Sequence, residues 1–175
     1  MNYGQIYDCD TANGPGLRVS LFVSGCTHHC PGCFNEQTWD FNYGDPYTTK
    51  TQATILMLLD KPYIQGLTIL GGEPMEPANQ PAVLALLEEV HEKLPEKDVW
   101  IYSGYTFEEL TNPEARCCTP NTRRILELAN ILVDGRFVMA EKDVRLTFRG
   151  SRNQRVLDMK NSLLSGQPCW MENYR

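Results

Sequence analysis

The sequence predicts an α/β fold, an incomplete (β/α) barrel formed by a single domain that spans residues 1–175. Two observations lead to this prediction. Short apolar segments typical of strands alternate with segments whose apolar residues recur at helical spacing, and such alternation is typical of parallel βαβ units. The chain has no clear linker, and it is too short for eight complete βα units, so we expect only part of a barrel.

The strands are predicted from apolar or β-branched runs that end at turn residues. Leu17 to Ser24 lies between Gly14-Pro15-Gly16 and Gly25, and the run from Gly66 to Leu70 leads into Gly71 and Gly72. Shorter runs of the same kind complete the prediction, at residues 99–102, 131–133, 144–148 and 155–157.

The helices are predicted from capping residues and apolar periodicity. Thr48 or Thr49 is suited to cap a helix that continues through Leu59. Pro81 fits the first turn of a helix whose apolar face extends to Leu94, and residues 123–129 are predicted to form a further helix. In parallel sheets of this kind, ligands bind beyond the carboxyl ends of the strands.

Composition and charge exclude several classes of protein. The net charge of −6 argues against nucleic-acid binding as the main activity. The N-terminus has neither a basic start nor an apolar segment of signal-peptide type, and the apolar runs are short, so we expect a cytoplasmic protein without membrane contact. Residues 123–160 are basic, and this stretch either meets an anionic cofactor group or an acidic partner, or forms a solvated face. Its arginines are Arg123, Arg124, Arg136, Arg145, Arg149, Arg152 and Arg155.

Three of the seven cysteines lie within eight residues, as Cys26, Cys30 and Cys33, which does not suit a disulfide framework. The C-x3-C-x2-C spacing brings three thiolates together in one loop. Three ligands leave one iron of a [4Fe–4S] cluster without a protein ligand, and such an open iron can bind a substrate.

Zinc is the alternative occupant of this loop, with His28, His29 or a remote cysteine completing a four-coordinate site. Zinc sites usually show two separated ligand pairs, which this sequence lacks. We therefore expect His28 and His29 to line the loop or face solvent. The remaining cysteines are predicted to be buried apolar thiols, namely Cys9, Cys117, Cys118 and Cys169.

Five motifs occur in an order that resembles the radical S-adenosylmethionine superfamily, and within it the enzymes that activate glycyl-radical enzymes such as anaerobic ribonucleotide reductase. The motifs are Asn13-Gly-Pro-Gly16, Val23 to Asn35 around the cysteines, Gly71-Gly-Glu-Pro74, Val133-Asp-Gly-Arg-Phe137 and Arg149 to Arg155. The resemblance implies a barrel of radical S-adenosylmethionine type. It also implies a catalytic [4Fe–4S] cluster on the three cysteines that reductively cleaves S-adenosylmethionine into methionine and a 5′-deoxyadenosyl radical.

The resemblance also assigns residues to S-adenosylmethionine. It implies that Gly71, Gly72, Glu73 and Pro74 hold the amino group, with a plain β-turn as the alternative. It implies that Asp134 accepts from the ribose and that Arg136 binds a carboxylate, with a surface salt bridge as the alternative. Further contacts are expected from Ser103, Asn153 and Gln154.

The implied protein substrate is the large subunit of anaerobic ribonucleotide reductase, in which the radical removes the α-hydrogen of one glycine. A reduced flavodoxin- or ferredoxin-type protein is the implied electron donor. Three alternatives stay open: another glycyl-radical enzyme as target, a small molecule of modified-nucleoside synthesis as substrate, or a zinc-bound interaction module without catalysis.

Overall fold

The computed structural model describes residues 1–175 and shows one mixed seven-stranded sheet with five helices. The strands are β1 (Asn2–Asp10), β2 (Leu17–Val23), β3 (Asp45–Pro46), β4 (Ile64–Gly71), β5 (Asp98–Ser103), β6 (Ile131–Asp134) and β7 (Arg155–Asp158). Their order across the sheet is β3-β1-β2-β4-β5-β6-β7.

Three of the five helices begin within a residue of where the sequence predicts them, and two short helices were not predicted. The five helices are α1 (Thr49–Leu59), α2 (Gln80–Lys93), α3 (Phe107–Thr111), α4 (Thr122–Leu128) and α5 (Met159–Ser165). Thr48 caps α1 through a reciprocal bond with Thr51, and Pro81 lies in the first turn of α2. The predicted helices therefore lie within about one residue of the observed ones.

The α/β class is confirmed, but only the centre of the sheet is parallel. Strands β2, β4, β5 and β6 run parallel, whereas β1, β3 and β7 each pair antiparallel with a neighbour. The central strands are almost entirely buried because helices cover them, which is typical of parallel strands. Their carboxyl ends meet at one edge of the sheet.

Two strands, β1 and the two-residue β3, were not predicted, and one predicted strand is absent. The sequence pattern did not predict β1, whose residues are half-buried or exposed and do not form an apolar run. The segment 144–148 was predicted as a strand and is not one: Val144 is 90% exposed, and Phe148 has a φ of 56°, which no strand residue adopts. β-branched and aromatic residues favour strands only where a sheet surface receives them.

The chain after α5 returns to the sheet. Trp170 pairs with Leu157 of β7, and the backbone N–H of Met171 donates to the carbonyl of Val156 at 2.9 Å. The Tyr174 ring then packs edge-on against Trp100 and Phe148, with centroid distances of 5.7 and 5.4 Å. This C-terminal tail therefore supports the loop that contains Phe148. None of the helices combines the length and apolar character needed to cross a bilayer.

Candidate active site

A cavity of about 490 Å³ lies at the carboxyl ends of the parallel strands. Its wall contains most of the residues expected to act together: Cys26, Cys30, Cys33, Gly71, Gly72, Glu73, Ser103 and Gln154. A larger cavity, of about 630 Å³, lies at the opposite ends of β5 and β6 and contains none of the predicted residues. We therefore place the candidate site in the smaller cavity, where the chemically distinctive side chains converge.

Residues 24–35, which we call the cluster loop, turn tightly enough to direct three thiols into this cavity. The Cys33 N–H donates to the carbonyl of Cys30 at 3.0 Å, and Gly32 between them has a φ of 74°. Gly25 has a φ of 97°, and a Cβ there would lie 2.3 Å from the ring of Phe41. Glycine is therefore required directly before Cys26 and directly before Cys33.

Two of the three thiols, those of Cys26 and Cys30, have raised pKa values. Burial raises the pKa of Cys26 to about 12, with the Glu73 carboxylate adding to the rise and backbone N–H groups opposing it. Burial likewise raises the pKa of Cys30. Loading an iron–sulfur cluster must therefore displace protons, and the thiolates then take their charge compensation from iron.

The donor set fits a cluster held on one side better than a closed zinc site. In the structure, no group of three or more histidine, cysteine, aspartate or glutamate side chains, the three cysteines included, lies close enough together to hold a metal ion. Both nitrogens of His28 are occupied, by Glu73 and Arg136, and His29 stacks on Trp39 with a centroid distance of 4.6 Å. His28 is therefore held by groups of its own chain, and His29 is exposed to solvent.

The cluster loop is bonded directly to residues 71–76, the β4 tip. The N–H of Glu73 donates to the carbonyl of Gly25 at 2.8 Å, and the N–H of Gly72 donates to that of Val23, directly before the loop, at 2.7 Å. A Cβ on Gly72 would lie 2.7 Å from the Gly25 carbonyl oxygen and 2.8 Å from that of Thr38. The close approach of the backbones therefore requires glycine at position 72.

Glu73 is buried, and its carboxylate is surrounded by protein donors. Oε1 accepts from the N–H of Met75 and the hydroxyl of Ser103, both at 2.8 Å. Oε2 accepts from the N–H of Gly104 at 2.6 Å and from Nε2 of His28 at 3.0 Å. An ionised carboxylate offers about four acceptor positions, and all of them are in use here.

Four of the predicted residues do not line the cavity: Pro74, Asp134, Arg136 and Asn153. Asp134 is fully buried and accepts from the Phe107 N–H at 2.7 Å and from Arg155 Nε at 2.9 Å. Its carboxylate is directed to these donors because they satisfy a charge that would otherwise be unpaired in the interior. The buried carboxylate of Asp134 thus bonds to groups of its own chain, and the ribose contact stays a prediction.

Arg136 and Asn153 lie just behind the cavity wall. Arg136 donates from Nε to Nδ1 of His28 at 3.1 Å and pairs with Glu109 at 3.0 Å. Asn153 donates to the carbonyl of Arg136 at 2.8 Å, and Gln154, which lines the cavity, donates to that of Gly135 at 2.9 Å. These residues therefore order the loop after β6, and only Gln154 reaches the cavity itself.

Tyr102 and Arg149 also line the cavity, and sequence reasoning gave neither a specific role there. The Tyr102 hydroxyl and Arg149 Nε are both buried without a hydrogen-bond partner. Of the seven arginines between 123 and 155, Arg149 alone lies in no ion pair with a carboxylate. Buried polar atoms without partners are rare, and these two lie beneath the surface of the cavity wall, with Ser24 Oγ as the third such atom in the chain.

The other cysteines only partly match their predicted burial. Cys117 is buried as expected, Cys118 and Cys169 are half-buried, and Cys9 is exposed. The prediction for Cys9 was wrong. On its outer side, β1 is paired only with the two-residue edge strand β3, so much of β1 is open to solvent.

A family model described as a 4Fe-4S single cluster domain matches residues 12–157. This match, together with three thiols on one cavity wall, places the chain among proteins that hold a single [4Fe–4S] cluster.

Several similar proteins carry the name anaerobic ribonucleoside-triphosphate reductase-activating protein. The one from Salmonella typhimurium is 43% identical over 158 residues, which cover 89% of this chain and 97% of that protein. The Escherichia coli K12 protein is 42% identical with the same coverage, and the phage T4 protein is 40% identical over 89% of this chain and 93% of its own length. The chain belongs to this family of activating proteins, which confirms the resemblance found in the sequence.

Proposed function

We propose that this chain activates anaerobic ribonucleotide reductase by radical chemistry based on S-adenosylmethionine. The observation that supports it most is the convergence of three thiols and the β4 tip on one cavity, in a chain whose relatives are named for that activation. When bound, the reduced cluster would supply the electron for reductive cleavage of S-adenosylmethionine into methionine and a 5′-deoxyadenosyl radical. That radical would abstract the α-hydrogen of one glycine.

In this proposal, Cys26, Cys30 and Cys33 hold the cluster. Their three sulfur atoms leave one iron open, and the cavity beside them has about 490 Å³, within the usual range for small-molecule sites. The donor set fits because thiolates are the preferred ligands of iron–sulfur clusters.

The β4 tip is the candidate site for the amino group of S-adenosylmethionine. Gly71 and Gly72 leave their backbone uncovered by side chains at the cavity wall. We assign the contact to backbone carbonyls there, while Pro74 ends the strand behind the wall. Ser103 and Gln154 complete the wall at the next strand tips, beside Tyr102 and Arg149.

Two further elements of the proposal concern the whole chain. Residues 1–175 act as one catalytic domain, in which the parallel strands β2, β4, β5 and β6 form the centre of an incomplete (β/α) barrel of radical S-adenosylmethionine type. Asp134, Arg136 and Asn153 support the cavity from behind.

A protein substrate suits the surroundings of the cavity. Phe34, at the cavity wall, is 68% exposed, and Met139 beside the cluster loop is 49% exposed. Exposed apolar side chains next to a site are typical of protein contacts. We therefore propose the large subunit of anaerobic ribonucleotide reductase as the substrate, with a reduced flavodoxin- or ferredoxin-type protein as electron donor.

The test mixes the anaerobically reconstituted, reduced protein with S-adenosylmethionine and anaerobic ribonucleotide reductase. We expect 5′-deoxyadenosine and the electron paramagnetic resonance doublet of a glycyl radical. The Cys30→Ala variant should give neither, whereas Cys9→Ala, which removes an exposed thiol away from the cavity, should match the wild type. Cleavage without a doublet would contradict the proposed target, and absence of cleavage would contradict the chemistry.

A further inference from the structure

The strongest unexplained feature of the site is the buried contact between Glu73 and His28. The two residues lie 45 positions apart, one on the β4 tip and one between two of the three cysteines. Their side chains are 1% and 5% exposed, so water does not compete for the bond. The contact therefore joins the part of the chain that holds the cluster to the part that we assign to S-adenosylmethionine.

The direction of this bond follows from the second nitrogen of His28. Arg136 donates from Nε to Nδ1 of the imidazole at 3.1 Å, and an arginine has no acceptor to offer. Nδ1 is therefore the unprotonated nitrogen, and Nε2 carries the hydrogen that is donated to Glu73. Arg136 is itself held by Glu109 at 3.0 Å, so the ring orientation is fixed from both sides.

The ring is also confined sterically. It packs edge-on against Tyr105 with a centroid distance of 4.3 Å. A Cβ placed on Gly104 would lie 2.4 Å from Cδ2 and 2.6 Å from Nε2 of His28. Only glycine at position 104 leaves room for the imidazole where it is.

We propose that Glu73 and His28 are positioning residues that fix the cluster loop against the β4 and β5 tips, and that the Glu73 carboxylate does not itself bind the amino group of S-adenosylmethionine. All four acceptor positions of Glu73 are taken by Met75, Ser103, Gly104 and His28. An ammonium group would have to displace one of these donors. The backbone of the β4 tip therefore carries the amino-group contact, and the carboxylate sets the spacing between that backbone and the cluster.

The inference rests on the proposed function, and its test measures binding as well as catalysis. The His28→Phe variant keeps a ring of similar size but donates no hydrogen to Glu73. The cluster loop keeps a separate anchor, because the N–H and hydroxyl of Thr27 donate to the buried Glu76 at 3.0 and 2.5 Å. We therefore expect His28→Phe to fold and to take up iron and sulfide at wild-type stoichiometry.

Equilibrium dialysis against S-adenosylmethionine, with the cluster oxidised so that no cleavage occurs, gives the decisive readout. We expect the dissociation constant of His28→Phe to rise on the order of 10-fold, the effect of losing a hydrogen bond to a charged group. The resonance spectrum of the reduced cluster should change less on cofactor addition than in the wild type. His28→Gln, whose amide nitrogen can donate near the Nε2 position, should restore most of the affinity.

Two further variants test the same spacing. Gly104→Ala leaves both partners intact but displaces the imidazole, and we expect it to weaken binding as His28→Phe does. His29→Phe removes the neighbouring imidazole of the same loop while keeping a ring to stack on Trp39, and it should bind like the wild type.

The outcomes separate the inference from the proposed function. Unchanged affinity in both His28→Phe and Gly104→Ala would overturn the inference alone, as would equal weakening by His29→Phe. Failure of the wild type to bind S-adenosylmethionine would instead overturn the proposed function.

Discussion

Replacing Gly72 by alanine tests how tightly the cluster loop and the β4 tip are held together. The added Cβ would lie 2.7 Å from the carbonyl oxygen of Gly25 and 2.8 Å from that of Thr38, whereas ordinary contacts begin at 3.4 Å. Because both neighbours are backbone atoms, the two segments must separate by about 0.7 Å, the difference between 3.4 and 2.7 Å. Overpacking of this kind lowers the free energy of unfolding by ~1–3 kcal/mol.

The same displacement moves the proposed amino-group site away from the cluster. A misplacement of about 1 Å can slow a reaction by roughly 100-fold, so Gly72→Ala should cleave S-adenosylmethionine roughly 10- to 100-fold more slowly than the wild type. Formation of 5′-deoxyadenosine under anaerobic conditions measures this rate, and urea denaturation measures the stability.

Gly150→Ala is the matched control, because it adds the same methyl group at the same cavity. Its Cβ would lie 3.2 Å from the Phe137 ring, a side chain that can move by a few tenths of an ångström. We expect its rate to stay within about twofold of the wild type. Wild-type cleavage by Gly72→Ala, with or without a loss of stability, would refute the coupling between spacing and chemistry.

Three other predictions follow from buried or paired groups. Arg155→Met leaves the buried Asp134 without its charge partner and should lower the free energy of unfolding in urea by ~3–5 kcal/mol. The double variant Asp134→Asn/Arg155→Met removes the buried charge as well and should be more stable than Arg155→Met. Equal or lower stability of the double variant would contradict this reasoning. Tyr102→Phe removes a buried hydroxyl without a partner, so the protein should be as stable as the wild type or up to ~1 kcal/mol more stable in urea denaturation. A clear loss of stability would show that the hydroxyl is already satisfied. The hydrogen bond from Arg155 lowers the pKa of Glu108 from 4.5 to about 2, so its stabilising contribution is present above pH 4.5 and is lost as the pH falls toward 2. Glu108→Gln should therefore lose less stability than the wild type over that range in acid denaturation, and identical pH dependence in the two proteins would contradict the assignment.

The sequence predicted the central strands and the longer helices because their signals are local. Apolar runs ending in glycine mark β2 and β4, and Thr48 and Pro81 mark the helix starts. The edges of the sheet were less predictable. β1 carries no apolar run, because a strand with an open face can contain polar residues. The antiparallel direction of β7 depends on the path of the whole loop after β6.

In the candidate site, too, some features could be predicted from the sequence and others could not. The cysteines and the β4 tip were predictable because their chemistry lies in short motifs. The partners of Glu73 and Asp134 were not, since His28 lies 45 residues from Glu73 and Arg155 lies 21 residues from Asp134. Sequence spacing alone does not show whether a buried carboxylate faces a ligand or a donor of its own chain. The unpartnered hydroxyl of Tyr102 likewise became visible only once the surrounding atoms were in place.

The C-terminal tail helps to hold one residue of the cavity wall in a strained backbone conformation. Phe148, on the cavity wall, holds a left-handed backbone that costs a bulky residue on the order of 1–3 kcal/mol, and such a conformation persists only where its surroundings enforce it. Trp100 and Tyr174 enclose its ring, each at 5.4 Å. A cut in the chain between α5 and Tyr174 would release that constraint and let the loop relax. The shape of the cavity at the strand ends therefore depends on an intact segment 166–174, none of whose residues lines that cavity.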